Sequence, residues 1–218
     1  MHHLFNPENK FWNFVGKLAD VCMMSILWAI TCIPLFTVGA ATTAFYSFTI
    51  DQVKDLEGSV WQSYFSAFKQ NFKKSTLVWL LQLAAGVLLG INLYAAWHFY
   101  VQSGIIGLGL LSLAVCGTLI YLMVSVYVYP VLACYDFPIK KVITDSFIMA
   151  MGNLHVSITV LVLFVLAAVG IYYISGLFFF WIGLAIFFSS YFIWGVFMKL
   201  AGFKPPKRKK KNKLDPTI

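Results

Sequence analysis

Two amide side chains, Gln82 and Asn92, interrupt the apolar segment 75–100. Together with nearby Ser and Thr hydroxyls, they could hydrogen-bond a sugar or another polar solute that crosses a membrane. The same side chains also commonly join one helix to another inside a bilayer. The sequence therefore leaves two roles open for Gln82 and Asn92, a polar path or contacts between helices.

No Asp, Glu, Lys or Arg lies in the middle of the apolar segments. Asp20, His98 and His155 all lie near segment ends. A charge at mid-membrane is costly and is usually kept for a function. Its absence argues against a proton relay and an intramembrane protease. No nucleotide-binding motif is present, and the four cysteines show no C-x-x-C spacing. We expect no enzyme activity, no metal site and no cofactor.

The sixteen Lys and Arg residues lie in four segments, 1–17, 51–74, 136–155 and 199–218. Between them the chain is strongly apolar, and charged residues make up only 11% of the total against roughly a quarter in soluble domains. Short basic loops stay on the cytoplasmic side of a membrane. The net charge of +8 therefore indicates membrane topology, with both termini cytoplasmic, and not nucleic-acid binding.

The predicted fold class is all-α, a polytopic helical membrane protein with a single membrane domain at 1–200. A spanning helix needs about 20 apolar residues, and Pro34 is expected to divide the first apolar region into two helices. Six membrane helices then place every basic segment on one side, whereas the alternative of five does not. The predicted membrane helices are 18–33, 37–53, 75–100, 104–130, 156–174 and 176–199.

Two cytoplasmic segments, 59–72 and 139–153, are predicted to form amphipathic helices in the membrane interface. In the first, aromatic residues recur at helical spacing along one face, with lysines close by. This face could contact lipid headgroups or a cytoplasmic partner. We call it the aromatic–lysine surface, and it comprises Trp61, Phe65, Phe68, Phe72, Lys69, Lys73 and Lys74.

The two amphipathic segments also resemble each other. A shift of 82 residues aligns Asn71 with Asn153 and Ser75 with Ser157, and each copy runs into two apolar segments. This pattern favours an internal repeat of one interfacial helix and two spanning helices. A chance match between two similar loops is the alternative.

Small residues predict close helix packing at two places. Gly86 and Gly90 form a G-x-x-x-G motif that would serve helix packing or a homodimer. Gly39, shortly after Pro34, should let the second helix pack tightly against the bundle.

The last segment, 201–218, is predicted to be a disordered polybasic tail. A cation near an anionic inner leaflet gains about 1 kcal/mol, so the tail could bind lipid headgroups or an acidic partner. Its consecutive cations are Lys207, Arg208, Lys209, Lys210 and Lys211.

Several stretches together resemble the YesL-like family, also called domain of unknown function 624. They are the run 33–46, IPLFTVGAATTAFY, then GSVW at 58–61, FSAFKQNFK at 65–73, and YPVL at 129–132 followed by Asp136. The resemblance implies a small integral membrane protein of Gram-positive bacteria, often encoded beside genes for carbohydrate uptake and polysaccharide degradation. It brings no catalytic or binding residues with it.

We therefore expect a non-catalytic accessory or regulatory component of the bacterial cytoplasmic membrane. Its expected partners are membrane lipid and the permease or ATPase subunits of a carbohydrate transporter. One alternative is a small stand-alone transporter of a polar solute, acting as a homodimer. A further alternative is a structural or envelope-stress membrane protein.

Overall fold

The computed structural model describes residues 10–54, 59–174 and 178–199, without the side chains of 10–14. The predicted tail at 201–218 lies outside these ranges. Within them the chain is helical and contains no strand. The helices are α1 (Lys10–Thr31), α2 (Val38–Val53), α3 (Val60–Ser103), α4 (Ile105–Cys134), α5 (Ile139–Gly152), α6 (Leu154–Tyr173) and α7 (Phe178–Lys199).

The helix is interrupted between α1 and α2 around Pro34, which lacks the backbone donor that a continuing helix requires. A short 3₁₀ turn, Leu35–Thr37, follows it. The Thr37 hydroxyl lies 2.6 Å from the Pro34 carbonyl and 2.5 Å from that of Thr31. The Pro34 carbonyl also accepts the Thr37 backbone N–H at 2.9 Å, so the Thr37 side chain and backbone together hold the turn between α1 and α2.

Helix α3 corrects the prediction of an interfacial helix at 59–72 separate from a spanning helix at 75–100. The structure has one continuous helix of 44 residues, about 66 Å along its axis. The change from basic to apolar sequence at Lys74 does not end the helix, because 60–85 contains no Gly or Pro. In the second copy of the proposed repeat, Asn153 alone separates α5, which ends at Gly152, from α6.

Helix α4 also differs from its predicted bounds, since it runs past Pro130 to Cys134. Membrane helices accommodate an internal proline when neighbouring groups compensate for the missing hydrogen bond. The turn between α3 and α4 is a single residue, Gly104, whose φ of +57° favours glycine. The two helices thus form a tight hairpin.

The buried core joins α1, α2 and α7 to parts of the other helices, and it includes hydroxyl groups. Tyr46 and Ser189 lie 3.1 Å apart through their oxygens, and Thr49 and Ser190 lie 2.7 Å apart. These bonds link α2 to α7. These four hydroxyls thereby have partners inside the protein, which offsets the cost of burying them.

Four helices, α3, α4, α6 and α7, are long and apolar enough to cross a membrane. The protein is therefore an all-helical membrane protein, as predicted. Helix α2 has only 16 residues, about 24 Å in length, against a hydrocarbon core of about 30 Å. Helix α1 carries Lys17 and Asp20.

Burial in the structure follows the 82-residue shift. Four positions in α3 and their counterparts in α5 and α6 are all no more than 1% exposed. Asn71 and Asn153 each donate a side-chain hydrogen bond to the carbonyl four residues earlier. The buried pairs are Tyr64 and Ser146, Ala67 and Met149, Ser75 and Ser157, and Val78 and Val160.

We predict that Gly39→Ala destabilises the protein, whereas Gly90→Ala does not. A Cβ at position 39 would lie 2.5 Å from the Ser75 carbonyl oxygen and 2.6 Å from Trp79 Cβ, whereas one at position 90 meets nothing within 4 Å. Overpacking of this kind costs about 1–3 kcal/mol. Unfolding of the two variants in mixed micelles, followed by circular dichroism, tests this. Equal midpoints would show that α2 and α3 are not in close contact.

Candidate functional site

An open cavity of about 480 Å³ lies along the first part of α3, where the sequence predicted a lipid or partner surface. Four of the residues around it carry a charge or an amide, and two are phenylalanines. We call it the lysine groove. It is lined by Phe68, Lys69, Gln70, Phe72, Lys73 and Lys74.

The aromatic residues of this region divide into buried and exposed members. Phe65 and Phe68 pack against the core, and Tyr64, which the predicted stripe omitted, is fully buried. The Phe68 and Phe72 rings lie 5.5 Å apart between centroids. Trp61 is 57% exposed, so it alone of this set presents most of its surface outward.

Lys74 is paired within the chain. Its ammonium forms a salt bridge with Asp136 and lies 3.5 Å from the Phe137 carbonyl, in the connection between α4 and α5. The Phe137 ring stacks on the Tyr135 ring with centroids 5.1 Å apart. The Lys141 ammonium also lies over the Phe137 ring, 4.0 Å from its centroid. Burial raises the pKa of Tyr135 to about 12, so its hydroxyl stays neutral. This connection forms a fixed border beside the groove.

Lys69 and Lys73 differ from Lys74. Both are exposed, and no carboxylate in the described ranges pairs with either of them. They stand four residues apart on one helix, where like charges repel. The groove therefore offers two uncompensated cations beside two aromatic rings, an arrangement that can hold an anion.

The structure does not bring Gln82 and Asn92 together. The Gln82 amide donates to the Ser125 hydroxyl at 3.0 Å, and the Tyr121 hydroxyl donates to the Gln82 backbone carbonyl at 2.8 Å. Gln82 thus joins α3 to α4. Asn92 is exposed, and its side chain has no hydrogen-bond partner in the part of the chain that is described. Gln82 thus has the second of its two predicted roles in this structure, a contact between helices, and Asn92 lies on the outer surface of α3.

The two glycines of the G-x-x-x-G motif also have different surroundings. A Cβ at Gly86 would lie 3.0 Å from the Tyr121 hydroxyl, whereas Gly90 faces open space. Gly86 therefore serves the packing of α3 on α4. Gly90 leaves the outer part of α3 open to lipid or to another chain.

Sequence reasoning missed the pairing of Lys74 with Asp136 and the contact of Tyr121 with Gln82. Asp136 is the first charged residue after the apolar stretch 75–135, and that isolation was the available signal. For Tyr121 no sequence signal pointed to its partner. Among the described residues, no group of three His, Cys, Asp or Glu side chains could hold a metal ion.

Known proteins are similar to this chain over part of its length. A family model described as "Protein of unknown function, DUF624" matches residues 21–93, which cover much of α1 and α3 and all of α2. The predicted resemblance to the YesL-like family is confirmed. The chain is 25% identical over 154 residues to "Uncharacterized protein YesL" of Bacillus subtilis (strain 168), covering 70% of this chain and 71% of that relative. No solved structure matches the chain.

We predict that Gln82→Leu destabilises the isolated protein and Asn92→Leu does not. The first change removes a hydrogen bond between helices, worth about 0.6 kcal/mol on average in membrane proteins and at most about 1.7 kcal/mol. The second replaces a side chain without a partner in the described chain. Unfolding midpoints in detergent would check both variants, and a larger loss for Asn92→Leu would contradict the geometry.

Proposed function

We propose that this protein is a non-catalytic accessory component of the bacterial cytoplasmic membrane, which binds a permease subunit of a carbohydrate-uptake system through the outer face of α3. The observation that carries the proposal is Asn92. Its amide lies exposed on an apolar helix without a partner in the described residues. A polar group in hydrocarbon gains free energy when it meets a partner on another helix.

The face around Asn92 has the geometry of a helix-docking surface. Exposed residues recur along it every three or four positions, so they lie on one face of the helix. Two of them are alanines, which permit close backbone approach. The face comprises Leu81, Ala84, Leu88, Asn92, Ala95 and Phe99.

The accessory role also rests on how polar groups within the bundle are used. Gln82, Ser125, Tyr46 and Ser189 are hydrogen-bonded to groups of the same chain. They would have to exchange these bonds to line a path for a solute. The association with carbohydrate uptake is supported by the family resemblance, which implies genes for that process nearby.

We further propose that α1 and α2 complete a set of six membrane helices, with both termini in the cytoplasm. Helix α1 exposes an apolar stripe, Met23, Ile26 and Ile30. At the connection to α2, Ile33 is 78% and Leu35 is 79% exposed. Exposed apolar surface on this scale is typical of contact with lipid.

Affinity purification from native membranes tests the accessory role. We expect a permease or ATPase subunit to copurify with the wild-type chain and with Gln102→Leu, and to be reduced at least tenfold by Asn92→Leu. Gln102 is a matched control, because it is another exposed amide on α3. Trp61→Ala tests the cytoplasmic side separately, since Phe65 is part of the core and its removal would confound the result.

The accessory role fails if no transporter subunit copurifies, or if the subunit remains with Asn92→Leu. Recovery of this chain alone as a dimer, lost in Asn92→Leu, would instead assign the face to a homodimer.

Cysteine labelling tests the topology. In a cysteine-free background we expect Ser59→Cys to react only from the cytoplasmic side and Ser103→Cys only from the outer side, because the apolar part of α3 separates them. Leu35→Cys should react from the outer side if α1 and α2 both cross. Labelling of positions 59 and 103 from the same side would contradict the proposed topology. Cytoplasmic labelling of position 35 would show that α1 and α2 do not cross the membrane.

A second candidate function is a small transporter that acts as a homodimer. The matched burial over the 82-residue shift supports it, because many transporters are built from repeats. Purified protein in proteoliposomes should then carry a sugar or ion without any other subunit. Such flux would overturn the accessory role.

A further inference from the structure

The lysine groove contains two charges that no carboxylate of the described residues neutralises. Lys74 is neutralised by Asp136, but Lys69 and Lys73 have no carboxylate partner in the described ranges. Their mutual repulsion is unfavourable for the helix. A bound anion between them would remove this cost and gain charge-assisted hydrogen bonds.

The groove lies at the point where α3 becomes apolar. Lys73 and Lys74 directly precede Ser75, and no Asp, Glu, Lys or Arg follows until Asp136. A lysine pair at this position stands beside the headgroups of the inner leaflet, where the positive-inside rule places it. Anionic lipid is concentrated in that layer and attracts such cations.

We propose that the lysine groove binds the phosphate of an anionic phospholipid of the inner leaflet. Lys69 and Lys73 hold the phosphate oxygens, and the Phe68 and Phe72 rings lie against the glycerol and the first methylene groups. The cavity of about 480 Å³ is of a size that accommodates a headgroup.

The aromatic rings favour a lipid over the other anions that two lysines could hold. A free phosphate has no apolar part to cover Phe68 and Phe72, which line the same groove. An acidic peptide would meet only two uncompensated cations there. A phospholipid supplies both parts: an anionic phosphate for Lys69 and Lys73, and an apolar segment for Phe68 and Phe72.

This site does not depend on the proposed accessory function. It lies in the first part of α3, whereas the proposed permease contact surrounds Asn92 in the later part. If the permease contact is disproved, lipid binding at the lysine groove can still be tested, and the reverse also holds.

The experiment is a titration of phosphatidylglycerol into the full-length protein in detergent, with bound lipid counted by native mass spectrometry. We expect Lys69→Gln with Lys73→Gln to weaken the tightest binding event about 30-fold, which corresponds to about 2 kcal/mol for two cations. Lys140→Gln with Lys199→Gln is the matched control, because it removes two exposed charges outside the groove and keeps Lys141 on the Phe137 ring. The C-terminal tail is unchanged in every variant, so its own attraction for lipid cancels.

Gln70→Glu is a second test that leaves both lysines in place and adds a carboxylate to the groove. It should also weaken phosphatidylglycerol binding, and circular dichroism would establish that each variant keeps its helices. Phosphatidylcholine and inorganic phosphate are titrated in parallel and should bind more weakly.

Three outcomes would overturn the proposal. Equal loss in the Lys140 and Lys199 control would mean general charge attraction, and unchanged binding in both groove variants would place the lipid elsewhere. Inorganic phosphate binding as tightly as the lipid would make the groove a site for a soluble anion.

Discussion

The contact between α2 and α3 at Gly39 determines how the hairpin of α1 and α2 meets the rest of the protein. The Ser75 carbonyl and Trp79 Cβ occupy the space that any larger residue at position 39 would need. The Trp79 indole also donates to the Leu35 carbonyl at 2.9 Å. Further along α2, the hydroxyls of Tyr46 and Thr49 contact Ser189 and Ser190 of α7, so this one helix joins α3 to α7.

Much of the helical architecture could be predicted from local signals. Pro34 indicated the division between α1 and α2, and apolar length indicated the hairpins of α3 with α4 and of α6 with α7. Helix continuity was harder, because the change in charge at Lys74 resembles a boundary while the backbone has no reason to stop there. At Pro130 the sequence has a residue that usually ends a helix in a soluble protein, yet α4 continues through it to Cys134.

The candidate surface shows a different limit of sequence reasoning. Helical spacing identified a face with Trp61 and Phe65, yet the fully buried side chain is Tyr64, whose hydroxyl meets Thr31. Lys69, Lys73 and Lys74 look equivalent in sequence. Asp136, sixty-two residues beyond Lys74, distinguishes one from the other two. Such assignments depend on partners that are distant in the chain and so carry no local signature.

The unbroken course of α3 has a geometric consequence. Because α3 continues as one helix, the distances from the lysine groove to Asn92 and to the turn at Gly104 are set by the helix rise. In the other half of the protein, the helix is interrupted at Asn153, between α5 and α6. The direction in which the basic segment leaves the apolar segment is therefore set by one helix in the first half, and by the packing of two helices in the second.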